Sequence, residues 1–333
     1  MVRPQVAGRD AAGRLTGLPM TIPDLTMLCG YASALPTPFK GEQIDADAFQ
    51  SFCQWQIERG SSALVVNGTT GEAPTLSREE QRRVVRMALD VAQCKVPVIA
   101  GAGSNSTAHA IELARDAEAA GADGLLAVTP YYNKPSQEGL FRHFRAIRDA
   151  TGLPVFLYDV PARTGCTLAI DTICRLAELP WIVGLKDATG DLVRPGLLRQ
   201  MLGDRFRLLS GDDATALDFV ALGGNGCISV LANVVPETCN RLYLAGACGE
   251  QAEARLIERR LRPLLKALFA ESNPVPLKWA LGLMGRMRPD VRLPLCGPGD
   301  ATRSAVQKAL AQLGLVGPHM LVRNLARVAS LFG

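Results

Sequence analysis

Lys186 stands alone in an otherwise apolar run that begins at Trp181, continues through Ile-Val-Gly-Leu and is followed by Asp187-Ala-Thr-Gly190. Alternation along a strand places Ile182, Gly184 and Lys186 on one face. An ammonium on a buried strand face is costly to desolvate unless it is paired. Burial favours the neutral amine of a lysine, and a neutral amine attacks a carbonyl carbon to form a Schiff base. The structural alternative is a lysine at a strand end that snorkels to water or meets a carboxylate. The residue alone does not separate these readings; the rest of the chain bears on them.

The elements that must position Lys186 are legible as an alternation. Short apolar runs at 28–35, 63–67, 96–100, 124–129, 155–160, 182–185, 206–209 and 226–230 read as strands. Helical patterns at 46–58, 78–93, 107–119, 137–150, 170–177 and 214–221 lie between them. Alternating β and α units with near-continuous apolar strands predict a parallel sheet covered on both faces. Eight such units fit a closed (β/α)8 TIM barrel. An open doubly wound sheet is the rival, but Gly101-Ala-Gly-Ser-Asn-Ser106 lacks the third glycine of a dinucleotide turn. After residue 250 only helical stripes remain: 251–269 with a kink expected at Pro263, 277–283, 301–313 capped by Asp300 and stopped by Gly314, and a last stripe of Leu321, Leu325, Val328 and Phe332. The expected division is an N-terminal extension over 1–27, a catalytic barrel over 28–249 and a C-terminal α-helical domain over 250–333. For the extension we expect a disordered tail or a start assigned upstream of Met20 or Met27; it lacks the apolar core of a secretory signal.

In a parallel barrel the chemistry gathers at the C-terminal strand ends. Here those ends carry Gly68-Thr-Thr-Gly-Glu72, Thr129-Pro-Tyr-Tyr-Asn133, Tyr158-Asp-Val-Pro-Ala-Arg-Thr-Gly165, Lys186-Asp-Ala-Thr-Gly190, Ser210-Gly-Asp-Asp213 and Ile228-Ser-Val230. Each has a bland counterpart: a turn and helix cap for Gly-Thr-Thr-Gly, interface packing for one of Tyr131 and Tyr132, a surface ion pair for Arg163. Gly211-Asp-Asp213 reads as a helix start rather than a metal site, with no histidine near it. Beside a Schiff-base lysine, Arg163 would give planar, bidentate recognition of a second carboxylate.

Composition narrows the classes further. The net charge of +4 over 333 residues is too mild to argue for nucleic acid, and aromatics at 5% do not interleave with basic residues. The nine cysteines show no C-x-x-C spacing, and read as small buried hydrophobes in a reducing cytoplasm. Only His109, His143 and His319 are present, with no H-E-x-x-H, which weakens metal catalysis and a Ser-His-Asp triad. No apolar run is long enough to span a membrane.

The motifs Gly-Thr-Thr-Gly-Glu, Thr-Pro-Tyr-Tyr-Asn-Lys-Pro-Ser-Gln-Glu-Gly-Leu, Tyr-Asp-Val-Pro-Ala-Arg-Thr-Gly and Gly-Leu-Lys-Asp-Ala-Thr-Gly together resemble the dihydrodipicolinate synthase family of pyruvate-dependent class I aldolases. The resemblance runs in order from about Gly30 to about Leu315. It implies a homotetramer, a dimer of dimers, of barrels that condenses pyruvate with L-aspartate 4-semialdehyde to 4-hydroxy-tetrahydrodipicolinate, a step of diaminopimelate and lysine biosynthesis. It implies Lys186 as the Schiff-base lysine and Tyr158 as the residue that moves protons during imine formation. Thr69 and Tyr132 complete the relay, Tyr132 reaching in from a neighbouring subunit. Thr70 and the backbone at Ile228 hold the pyruvate carboxylate, Arg163 holds the semialdehyde carboxylate, and the Gly211 backbone lines the pocket. No metal or organic cofactor is implied. A sister aldolase for sialic or 2-keto-3-deoxy sugar acids would keep Lys186 and Tyr158, but Arg163 and Tyr132 speak against it. A non-catalytic keto-acid sensor would show a damaged relay, and this relay is whole.

One departure concerns the interface pocket through which lysine inhibits some relatives. Tyr131 and Asn105 match it, but His109 stands where a glutamate is expected and Arg78 and Gln81 stand where histidines are. A guanidinium there, without a carboxylate at 109, disfavours a cationic amino acid. Weak or absent lysine inhibition is therefore expected.

Overall fold

The computed structural model describes residues 24–317, together with the backbone of a two-residue antiparallel pairing between Gly8–Arg9 and Leu15–Thr16. The last predicted helical stripe, His319 and most of the 1–27 extension lie outside the described residues.

Eight parallel strands close into a barrel: β1 Gly30–Ala34, β2 Leu64–Val66, β3 Val98–Gly101, β4 Gly124–Val128, β5 Val155–Asp159, β6 Ile182–Asp187, β7 Arg207–Ser210 and β8 Gly226–Ser229. The seam is β8 on β1, paired Gly226 to Gly30 through Ser229 to Ser33. The strands approach so closely there that a Cβ on Gly226, whose φ is +155°, would lie 2.0 Å from the Gly30 carbonyl oxygen. The expected (β/α)8 barrel is what the chain forms, and the open-sheet rival is excluded by closure.

Helices alternate with the strands: α1 Ala46–Glu58, α2 Arg78–Ala92, α3 Thr107–Ala120, α4 Gln137–Asp149, α5 Ile170–Ala177, α6 Val193–Leu202, α7 Ala216–Ala221 and α8 Pro236–Ala247. Their starts follow side-chain chemistry. Asp45, Ser106 and Ser136 each accept from a backbone N–H of the first turn, and Ser77 forms a reciprocal capping box with Glu80. The α6 pattern was not among the predicted helices; it has no side-chain cap, and Pro195 and Gly196 interrupt its apolar run. Three further helices follow, α9 Gln251–Leu268, α10 Val275–Leu283 and α11 Asp300–Gln312. Helix α9 runs unbroken through Pro263. Helix α11 corrects a prediction: Gly299, not Asp300, is its N-cap, and Asp300 is the first helical residue without a capping bond. Gly314 does end it, at φ +71°.

Two apolar layers result. A large cluster fills the space between strands and helices, and a smaller one, including Ala32, Val65, Ile99, Leu126, Phe156, Leu209 and Ile228, fills the barrel interior. The cysteines depart from expectation: Cys53, Cys227 and Cys239 are buried, whereas Cys29, Cys94, Cys248 and Cys296 are exposed, and all nine are free thiols. The exposed four sit at element ends and in loops, where short local context outweighs the apolar character of the neighbouring run.

Candidate active site

The strand carrying Lys186 is longer and less regular than its sequence suggests. β6 extends to Asp187, two residues past the predicted end. Its pairing with β5 steps from Ile182 opposite Val155 to Gly184 opposite Phe156, so Val183 is an extra residue in the ladder. The bulge breaks the alternation. Ile182 packs with Leu185 in the outer layer, Val183 packs in the interior cluster, and Gly184 and Lys186 pair beside the inward Phe156 and Tyr158. The predicted sharing of one face by Ile182, Gly184 and Lys186 therefore fails at Ile182, because an added residue inverts parity.

Lys186 is 7% exposed and makes no salt bridge within the described residues. Its Nζ lies 4.2 Å from the centroid of the Tyr158 ring, on the neighbouring strand. The aliphatic stem leans on Gly211, where a Cβ would come 2.9 Å from Lys186 Cε and 2.8 Å from the Ala188 side chain. Gly211 is thus the gap that lets the lysine stand upright. Its backbone N–H donates to the Asp187 carbonyl at 2.6 Å, pinning the β7 end to the β6 end.

Immediately beyond the two central residues lie two buried carboxylates sharing one guanidinium. Arg194 donates from Nη2 to Asp159 Oδ2 at 3.0 Å and from Nε to Asp187 Oδ2 at 2.8 Å. Asp159 Oδ2 also accepts from Thr167 Oγ1 and from the Leu168 backbone N–H, at 2.8 and 3.0 Å. Burial, with Asp187 alongside, raises the Asp159 carboxyl above its ordinary range against the pull of these donors and Arg194. The cluster ties the ends of β5 and β6 together one residue past Tyr158 and Lys186.

The loop after β2 presents Thr69 and Thr70. Thr69 is half-buried, and Thr70 is buried and accepts at Oγ1 from Asn273 Nδ2 at 2.9 Å. Glu72 closes this loop in the left-handed region at φ +55° and is held from the C-terminal helices. It forms a fully buried ion pair with Lys278 of α10, and its Oε2 accepts the Arg292 backbone N–H at 3.0 Å. Burial pulls the Lys278 ammonium down to about 8 against the attraction of Glu72. Arg163 sits in the single helical turn Pro161–Thr164 and donates from Nη2 to the Asn273 carbonyl at 3.3 Å. Ile228 is buried on β8. The loop following it is gripped by Asp213, which accepts from Ser229 Oγ and from the Val230 and Leu231 N–H groups at 2.8 and 3.1 Å. The reading of Gly211-Asp-Asp213 as a helix start is corrected: α7 begins at Ala216, Asp212 organises the turn before it, and Asp213 binds across to β8.

The structure thus brings Lys186, Tyr158, Thr69, Thr70, Arg163, Gly211 and Ile228 to one barrel rim. Tyr132 is different. It is 89% exposed, with φ +73°, held out by its backbone N–H on the Thr164 carbonyl. Asn273, Lys278, Asp159 and Arg194 carried no assigned role in the sequence. A signal for Lys278 was present, since it is a lone lysine between Leu277 and Trp279. Among the described residues no helix is long and apolar enough to cross a membrane, and no group of three metal-ligating side chains occurs.

Comparison with known proteins bears on this geometry. Residues 27–313 match the model of the dihydrodipicolinate synthetase family. The 4-hydroxy-tetrahydrodipicolinate synthase of Hyphomonas neptunium is 53% identical over 291 residues, covering 87% of this chain and 99% of that protein. A chloride-inhibited dihydrodipicolinate synthase from Acinetobacter baumannii, solved in complex with pyruvate, superposes with a TM-score of 0.84 at 43% identity over 87% of this chain and all of that one. A monomeric dihydrodipicolinate synthase variant gives 0.85 at 39% identity, covering 87% of this chain and 98% of that one. With its closed barrel, its inward lysine and this span of likeness, the chain belongs to the dihydrodipicolinate synthetase family.

Proposed function

We propose that the chain condenses pyruvate with L-aspartate 4-semialdehyde, through an imine on Lys186, to give 4-hydroxy-tetrahydrodipicolinate. The observation that carries this reading is a buried lysine at the barrel rim with no carboxylate partner among the described residues, its amine against the Tyr158 ring. Lys186 Nζ adds to the pyruvate keto carbon, and loss of water leaves the imine. The imine withdraws electrons, so a methyl proton departs and an enamine forms. The enamine carbon bonds to the aldehyde carbon, and the aldehyde oxygen takes up a proton. The amine of the second substrate then displaces Lys186 and closes the ring. Protons at Lys186 pass through hydroxyls, which donate and accept in turn, and Tyr158 with Thr69 is the candidate relay. Thr70 and the Ile228 backbone are proposed for the pyruvate carboxylate, the Gly211 backbone as pocket wall and Arg163 for the second carboxylate. Holding both reactants in register supplies much of the rate. Because the lysine imine is the electron sink, no step calls for a metal or organic cofactor.

Tyr132 completes the relay in this reading only by entering a second copy's site. Its exposure and left-handed backbone, a conformation costing about 1–3 kcal/mol for such residues, support a residue held out for another subunit. A second exposed apolar face, Val193, Leu197 and Met201 along α6 with Leu222 beside it, supports assembly into a homotetramer. The sugar-acid reading is disfavoured by Arg163, whose guanidinium lies at the rim on the Asn273 carbonyl and, among the described residues, in no ion pair.

Incubation with pyruvate and borohydride, followed by peptide mass analysis, should place a reduced adduct on Lys186. Lys186→Ala should lose the adduct and all but a trace of turnover. Full turnover by that variant would remove the imine mechanism.

A further inference from the structure

Asn273 joins three parts of the rim. Its Nδ2 donates to Thr70 Oγ1 at 2.9 Å, and its main-chain carbonyl accepts from Arg163 Nη2 at 3.3 Å. The residue is 7% exposed, and its Oδ1 is enclosed without a hydrogen-bond partner among the described residues. A buried acceptor left without a donor is unfavourable, and a ligand donor in reach would relieve it. The amide orientation has a chemical reason. Thr70 keeps its O–H free to donate to a carboxylate only if its lone pair receives the Asn273 N–H. Oδ1 is then the face of the amide that remains.

The second substrate carries an amino group on the carbon that bears its carboxylate. With the carboxylate on Arg163, that amino group lies one bond removed from the group Arg163 holds. Arg163 itself touches Asn273. An ammonium has three donors and no acceptor, so it needs an oxygen at that place. We propose that Asn273 Oδ1 receives the α-amino group of the second substrate, making Asn273 a specificity-determining residue of the rim. The inference rests on the condensation proposed above and names a subsite within it. It also gives the helical C-terminal part a direct role, since Asn273 lies between α9 and α10.

The test compares L-aspartate 4-semialdehyde with succinic semialdehyde, the same chain without the amino group. The full-length enzyme is first loaded with pyruvate. An aldehyde is added, and borohydride quenches the reaction at intervals. With free pyruvate removed, disappearance of the pyruvate adduct on Lys186 reports formation of the carbon–carbon bond for either aldehyde, leaving a heavier adduct with succinic semialdehyde and free Lys186 with the amino aldehyde, whose amine displaces the lysine. The parent should favour the amino aldehyde, and Asn273→Leu should lower that preference by about 10–100-fold. Any effect on pyruvate loading through Thr70 is common to both aldehydes and cancels in the ratio. Asn273→Asp, which keeps an oxygen at the position, should retain the preference even with a slower overall rate. Equal use of both aldehydes by the parent, or a parallel fall with both in Asn273→Leu, would overturn the assignment. So would an Asn273→Leu defect that appears against succinic semialdehyde, which lacks the amino group, and not against 3-aminopropanal, which keeps it and lacks the carboxylate. A parent that traps no pyruvate at all would overturn the imine reading, and this subsite with it.

Discussion

At the scale of single residues, two lone lysines illustrate how one sequence signal divides into two physical outcomes. Lys186 and Lys278 are each isolated in apolar runs, and both are buried. Lys278 is neutralised by Glu72, whereas Lys186 faces an aromatic ring and, among the described residues, no carboxylate. A buried ion pair is bound to its partner and is a fixture of the fold; an unpaired amine is open to reaction. Gly211→Ala puts a methyl group 2.9 Å from Lys186 Cε and forces the side chain to shift, so turnover should fall at least about tenfold, the effect of a lysine moved about 1 Å from its reacting position. Borohydride trapping, with stability followed by denaturation, separates that from unfolding. Asp159→Asn makes a prediction with a sign. The Asp159 carboxyl is raised in the folded protein, first by burial, with Asp187 adding and Arg194 opposing. A carboxyl raised on folding favours the folded state at low pH, and that contribution is lost as pH climbs from the ordinary value of 3.8 through the raised one. The variant should therefore gain stability over the parent as pH rises from about 4 toward neutrality. Thermal melting across that range checks this; a variant that loses stability relative to the parent as pH rises would contradict it.

At the scale of elements, the C-terminal helices bear on the rim through polar contacts that a stripe of apolar positions does not reveal. Helix α10 reaches the loop after β2 through Lys278 and Glu72, and the segment before α10 reaches Thr70 and Arg163 through Asn273. Lys278→Met leaves the buried Glu72 carboxylate with the Arg292 N–H but without its ammonium partner, a loss of about 3–5 kcal/mol for a pair of this kind. Urea unfolding should show a lower midpoint at unchanged slope. The pair-neutral double variant Glu72→Gln with Lys278→Met should recover much of the loss, since no charge is then left unmatched. The β6 bulge belongs at this scale too. It was illegible in the sequence, because Ile182-Val-Gly-Leu reads equally well with or without an extra residue, and only pairing to β5 shows which residue is surplus.

For the whole molecule, the predicted weak response to lysine now has a structural reason. Arg78 binds Asp116 at 2.8 Å and Glu112 at 3.1 Å, and His109 lies 3.5 Å from the same Glu112. A carboxylate is present near that pocket, one turn after His109, but Arg78 already occupies it. Gln81 is likewise committed, donating to the Ala73 and Leu76 carbonyls. Millimolar lysine should leave turnover within about twofold of the uninhibited rate, since a second cation finds no free anion there; strong inhibition in a coupled assay would refute this. Assembly is tested by sedimentation: a tetramer is expected, and Tyr132→Phe should lower turnover without changing the sedimenting mass. A fully active monomer would show that Tyr132 has no part in a neighbour's relay.

The chain alone determined the alternation of strands and helices, the polar strand ends and the isolated lysine, because periodicity and burial cost are local properties of the sequence. The family resemblance named a role for each rim residue from contiguous motifs. Tertiary structure decided what depends on neighbours distant along the chain. It settled the parity of β6, which lysine keeps a carboxylate, the grip of Asp213 on β8, and the meeting of Thr70 and Arg163 at Asn273. Those contacts join residues up to 206 positions apart, and no window of sequence contains both partners.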